Sequence, residues 1–110
     1  MQQKAFLKIR QIRIEFPDAI VGLARLEPVT RGWVVKVQDA QNLEGQDGMD
    51  RAVQIALDTT ETVAGWTDGE TEIWDVVLIF ENEDEATEAG KQNGQMTIYQ
   101  IETGRLKWID

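Results

Sequence analysis

The sequence predicts an α+β fold, with an antiparallel sheet of about five strands packed with one or two helices. Three observations predict it. Several short runs alternate apolar and polar residues, the period of a strand with one buried face. One longer run repeats its apolar residues every three to four positions, the period of a helix. The strand signals cluster instead of alternating strictly with helices, which favours antiparallel pairing. A chain of 110 residues suits one domain, 1–110, with a core that needs no staples.

The N-terminal segment, 3–16, reads as a helix. Ala5, Ile9, Ile12 and Phe16 recur at helical spacing, and Pro17 stops the pattern. Leu7 and Ile14 then lie on nearly the opposite side, a second apolar stripe flanked by Lys8, Arg10 and Arg13. Ile12, Ile14 and Phe16 also alternate with Arg13 and Glu15, so the later half reads equally as a strand. Runs 19–27 and 32–38 read as a hairpin around the turn EPVTRG. In its second strand Trp33, Val35 and Val37 share one face, and Val34, Lys36 and Gln38 form a wet one.

Residues 39–48 form a polar loop, and 49–64 an amphipathic helix. Ala52, Val53, Ala56, Leu57, Thr60, Val63 and Ala64 make its apolar stripe. Asp47 or Asp50 serves as its cap and Gly65 as its end. The threonines at 59, 60 and 62 weaken that helix, because β-branched side chains lose rotamers in it. WTDGE, 66–70, is a turn. EIWDVVLIF, 72–80, is apolar on both faces and so central in the sheet. Strands 95–102 and 105–109 follow, joined by a tight turn at Thr103-Gly104.

Between them, 81–94 is a connection longer than most hairpin loops. Glu81, Glu83, Asp84, Glu85 and Glu88 lie in it. Their spacing does not match a calcium-binding EF-hand loop. The stretch reads first as a solvated excursion, with a short helical turn open to it. As a site, it would steer a basic partner electrostatically.

Composition narrows the chemistry. The chain contains no histidine, cysteine or serine. The commonest general base and the two commonest nucleophiles are absent, as are imidazole and thiolate metal sites. The expectation is a protein that is not an enzyme, with no cofactor and no metal. Residues 1–36 hold seven Lys or Arg against three acids, whereas 37–90 hold Arg51 alone against fifteen. That acid disfavours direct binding to nucleic acid or to an anionic membrane. The N-terminus lacks a signal-peptide core, and no run is long enough to span a bilayer, so a cytoplasmic setting is expected.

Four tryptophans are many for this length. Trp33 and Trp74 fall within strands and read as core. Trp66 and Trp108 are the better candidates for exposed partner-binding anchors, together with Leu7 and Ile14. The stretch VGLARLEPVTRGWVVKVQ, 21–38, resembles the gas vesicle protein O family, through Gly32-Trp33 followed by Val35 and Val37. IWDVV, 73–77, and the closing hairpin are similar to that family's aromatic-led final strands. The chain departs from the family pattern in its 49–64 helix, its acidic excursion and its lack of an arginine-rich end. The strand-Thr-Gly-strand ending also resembles small PepSY-type domains.

The resemblance to the gas vesicle family implies a cytoplasmic accessory in the assembly of a proteinaceous organelle. The residues themselves point to a protein-binding module, an assembly factor or chaperone, with a homodimer open. Two alternatives stand beside it. One is an acidic mimic of nucleic acid that inhibits a basic protein. The other is a small-molecule binder with a pocket between sheet and helix.

Overall fold

The computed structural model describes Ile9, residues 20–24 and residues 26–110. The fold is α+β, as expected. Its described elements are eight strands and two helices. In chain order the strands begin with β1 (Ile20–Gly22), β2 (Glu27–Pro28), β3 (Trp33–Lys36) and β4 (Leu43–Glu44). Helix α1 (Gly45–Asp58), β5 (Thr62–Asp68) and β6 (Thr71–Phe80) come next. Helix α2 (Glu83–Gln92), β7 (Thr97–Gln100) and β8 (Arg105–Trp108) complete the chain. The order across the sheet is β2-β1-β5-β6-β3-β7-β8, with β4 paired to β6 beside this path. Every pairing is antiparallel.

Strand β6 organises the sheet. Its first half pairs with β5 on one edge and with β4 on the other. Its second half pairs with β3. Side chains alternate across the sheet, so Trp74 and Val76 join the core under α1. Asp75 and Val77 point to the other side, where Val77 meets Ile20 and Val34. The apolar run on both faces of 72–80 thus has its physical cause in this central place.

Helix α1 buries Met49, Ala52, Val53 and Ala56, three and four residues apart on one stripe. They pack with Val21, Val63, Trp74 and the helical, fully buried Ile9. Gly48 lies so close to β4 that an added Cβ would stand 2.4 Å from the Leu43 carbonyl carbon. The second core cluster gathers Trp33, Val35 and Ile98 under Ala86 of α2.

Several expectations need correction. The sheet has eight strands in place of about five: the expected 19–27 strand divides into β1 and β2, the two-residue β4 carries little periodic signal, and the seven-residue β5 lies where a helix end and a turn were expected. The 19–38 hairpin is not formed. β1 pairs with β2 and β5, whereas β3 pairs with β6 and β7. The supposed wet face of β3 carries a buried Val34, packed with Ile20 and Val77.

The helix expected over 49–64 spans Gly45–Asp58. It stops where Thr59 and Glu61 both donate their amide N–H to the Ala56 carbonyl, at 3.1 and 2.7 Å. Glu61 adopts φ 58°, a left-handed conformation that ends a helix. The threonine-rich stretch beyond then enters β5, where β-branched residues fit. Trp66, Thr67 and Asp68 therefore belong to a strand, and the turn shrinks to Gly69-Glu70. The acidic connection is not a hairpin excursion. It is a crossover carrying a ten-residue helix, since β3 lies between β6 and β7. The expected helix over 3–16 lies outside the described residues apart from Ile9.

Candidate functional site

Both described helices pack on one face of the sheet. The opposite face is built by alternation from Ile20, Val34, Ala64 and Val77, whose apolar side chains cluster together. It holds a concavity of about 440 Å³, floored by these residues and walled by Trp66, Tyr99 and Leu106. Ile20, Val34 and Val77 are buried here although the helices lie on the other side.

A charged cluster closes one end of the concavity. Asp75 is the buried charged residue among those described, at 1 % exposure. A buried carboxylate must be satisfied or it costs several kcal/mol. Its Oδ1 accepts from the Asn42 amide N–H at 2.7 Å. Its Oδ2 accepts from the Trp66 indole Nε1 at 3.0 Å. The Lys36 ammonium stands 3.4 Å from the same Oδ2 and 5.4 Å from the Trp66 ring centroid. Asn42, at φ 57°, brings its N–H to the carboxylate from the loop before β4. Three strands and one loop thus converge on one side chain. The Lys36 side chain keeps 38 % exposure.

The other end runs into an exposed apolar edge. On β7 and β8 the cross-strand pairs Tyr99–Leu106 and Thr97–Trp108 lie on the open face. Leu106 is 54 % exposed and Trp108 68 %. Among the described strands, β8 is the last of the sheet on this side. On the reverse face Lys107 donates to Glu83 Oε2 at 3.0 Å and to Thr87 Oγ1 at 3.2 Å. Those bonds hold the N-terminal half of α2 over β8. At 100° per residue, the flank one step further round carries Asp84 and Glu88. Both are exposed. The β8 edge is therefore apolar on one side and acidic on the other.

The sequence-derived candidates divide accordingly. Trp108 is an exposed side chain on an edge strand. Trp66 is half-buried, with its indole N–H committed to Asp75, so it is a wall of the concavity and no free anchor. Trp33 and Trp74 are buried. Glu81, Asp84, Glu85 and Glu88 are exposed, whereas Glu83 is engaged with Lys107. Leu7 and Ile14 lie outside the described residues.

Sequence reasoning missed Lys36, Asp75, Tyr99 and Leu106. Asp75 left a signal, one charge inside the apolar run IWDVVLIF. Such a charge on a doubly buried strand needs partners, and a search for them leads to this cluster. Among the described residues, no group of three or more His, Cys, Asp or Glu side chains could hold a metal ion. No described helix is long and apolar enough to cross a membrane. Comparison of the chain with protein-family models, with curated proteins and with solved structures finds no match.

Proposed function

We propose that the chain is a non-enzymatic protein-binding accessory, an assembly factor or chaperone-like module that takes an extended partner segment onto its β8 edge. The observation that supports this reading is the pair Leu106 and Trp108, exposed side by side on a strand at the end of the sheet. Edge strands offer a row of backbone donors and acceptors, and apolar side chains beside them supply affinity. Tryptophan is enriched among residues that dominate interface energy. An added strand alternates its side chains between the two faces. One set would meet Tyr99, Leu106 and Trp108. The other would meet the side of α2 that carries Asp84 and Glu88. The partner segment is accordingly one that alternates apolar and basic residues.

The similarity of 21–38 to the gas vesicle protein O family supplies a class for the partner, a component of a proteinaceous organelle assembled in the cytoplasm. The test is affinity capture from lysate of the host, at low and high salt, with the wild-type chain and with Trp108→Ala and Leu106→Asp. One dominant protein is expected at both salts, with capture reduced by about thirty-fold for Trp108→Ala, the size of an interface hot spot. Equal capture by all three chains would overturn the docking surface. A salt-labile set of nucleic-acid-binding proteins would overturn it in favour of mimicry of nucleic acid by α2.

A further inference from the structure

We propose that the concavity on the sheet face opposite the two described helices binds a neutral, largely apolar small molecule that presents one hydrogen-bond acceptor to Lys36. Its volume of about 440 Å³ falls within the range of roughly 300–1,000 Å³ usual for small-molecule sites. Four aliphatic side chains, Ile20, Val34, Ala64 and Val77, form the floor. An apolar body of matching size gains by leaving water there.

The polar end selects the head group by its charge balance and its free donors. The Lys36 ammonium has three N–H donors. Among the described residues its contacts are the ion pair with Asp75 at 3.4 Å and the Trp66 face. It can therefore donate to a bound acceptor. Asp75 already balances its charge. A carboxylate in the pocket would add an uncompensated negative charge, within a chain whose net charge is −9. An amine would face the Lys36 ammonium. The oxygens it would need on Asp75 are buried and already accept from Asn42 and Trp66. A hydroxyl, carbonyl or amide oxygen meets neither penalty. The pocket thus rejects both ionic heads and accepts the neutral one. It lies on the sheet face opposite the two described helices, and not between sheet and helix as the small-molecule alternative placed it.

The experiment titrates the intact chain at pH 7 with 1-octanol, octanamide, octanoate and octylamine. Tryptophan fluorescence reports on Trp66, and calorimetry gives the affinity. Saturable binding of the alcohol and the amide is expected, with octanoate and octylamine each at least about five-fold weaker. Lys36→Met should weaken the two neutral probes by about five-fold, the worth of one hydrogen bond. Asp75 keeps its Asn42 and Trp66 donors in that variant, so the fold is retained. Ala64→Phe should fill the floor and abolish binding. Should that variant fail to fold, Leu106→Glu at the exposed rim replaces it and should weaken binding. The proposal is overturned if neither neutral probe saturates, if an ionic probe binds tightest, or if these variants leave affinity unchanged.

Discussion

Asp75 is a buried charge that joins separate parts of the sheet. Its carboxylate ties the loop before β4, the indole on β5 and the ammonium on β3 to the central strand. Removing one partner of a buried charged cluster leaves the others desolvated and unpaired. Asp75→Ala is expected to lower the unfolding free energy by about 3 kcal/mol, read from urea denaturation. Lys36→Met should cost less, about 1–2 kcal/mol, because the buried carboxylate loses its cation but keeps the Asn42 and Trp66 donors. Equal losses for the two would refute the central role given to the carboxylate.

A second carboxylate matters at the opposite end of β7. Glu102 Oε1 accepts from the Gly32 amide N–H at 3.0 Å. That bond is the main cause that lowers its pKa below the ordinary glutamate value, followed by its own backbone N–H and then Arg31. Partial desolvation opposes them. A carboxyl whose folded pKa is depressed stabilises the fold above its unfolded pKa, and that contribution fades as pH falls through the folded value. Wild type should therefore lose stability relative to Glu102→Gln as pH drops below about 4.3, the ordinary glutamate value. Parallel acid-unfolding curves for the two chains would contradict the coupling.

The two helices show how elements meet different needs. α1 has no side-chain N-cap and is held by burial. Gly48 permits its close approach to β4. In an exposed helix Gly→Ala gains about 1 kcal/mol. Here the new methyl would strike the Leu43 backbone, which cannot rotate away. Gly48→Ala is expected to destabilise, by roughly 1–3 kcal/mol, and a rise in melting temperature would refute the close packing.

α2 relies instead on its ends. The Asn82 side chain accepts from the Glu85 amide N–H at 3.0 Å. Glu83, Asp84 and Glu85 occupy the first turn and Lys91 the last, each sign matched to the helix dipole. Part of the acidic run thus has a structural cause, independent of any partner. Asn82→Ala should cost about 1 kcal/mol, measured by thermal unfolding. Residue pattern foreshadowed α1, whereas the acidic stretch that forms α2 reads first as a solvated excursion with only a short helical turn open to it. The boundaries of α1 were not foreshadowed, because Glu61 turns the chain through a conformation that no periodicity reports.

Over the whole molecule, charge and apolar surface are segregated about the β8 edge. The net charge of −9 makes the chain repel anions at long range. Its acidic residues near α2 should speed the approach of a basic segment. Replacing Asp84, Glu85 and Glu88 together by their amides should slow association of the captured partner and flatten its salt dependence. Dissociation should stay nearly constant, because the apolar pair on β8 is untouched. Surface plasmon resonance at two ionic strengths separates these rates, and a change confined to dissociation would refute steering.

The sequence by itself determined the α+β class, the central place of 72–80, the closing hairpin around Gly104 and the burial of Trp33 and Trp74. These follow from local periodicity and turn chemistry, which act over a few residues. Strand partnership was decided only in the tertiary structure. β1 and β3 find partners far along the chain in β5, β6 and β7, and that choice depends on which apolar faces can be buried together. Trp66 and Asp75 face each other across the local β5–β6 hairpin, but the long-range β3–β6 pairing is what brings Lys36 to them and leaves Leu106 and Trp108 on an edge. No short window of sequence contains Lys36 with Asp75, so the cluster became legible only once the sheet had formed around β6.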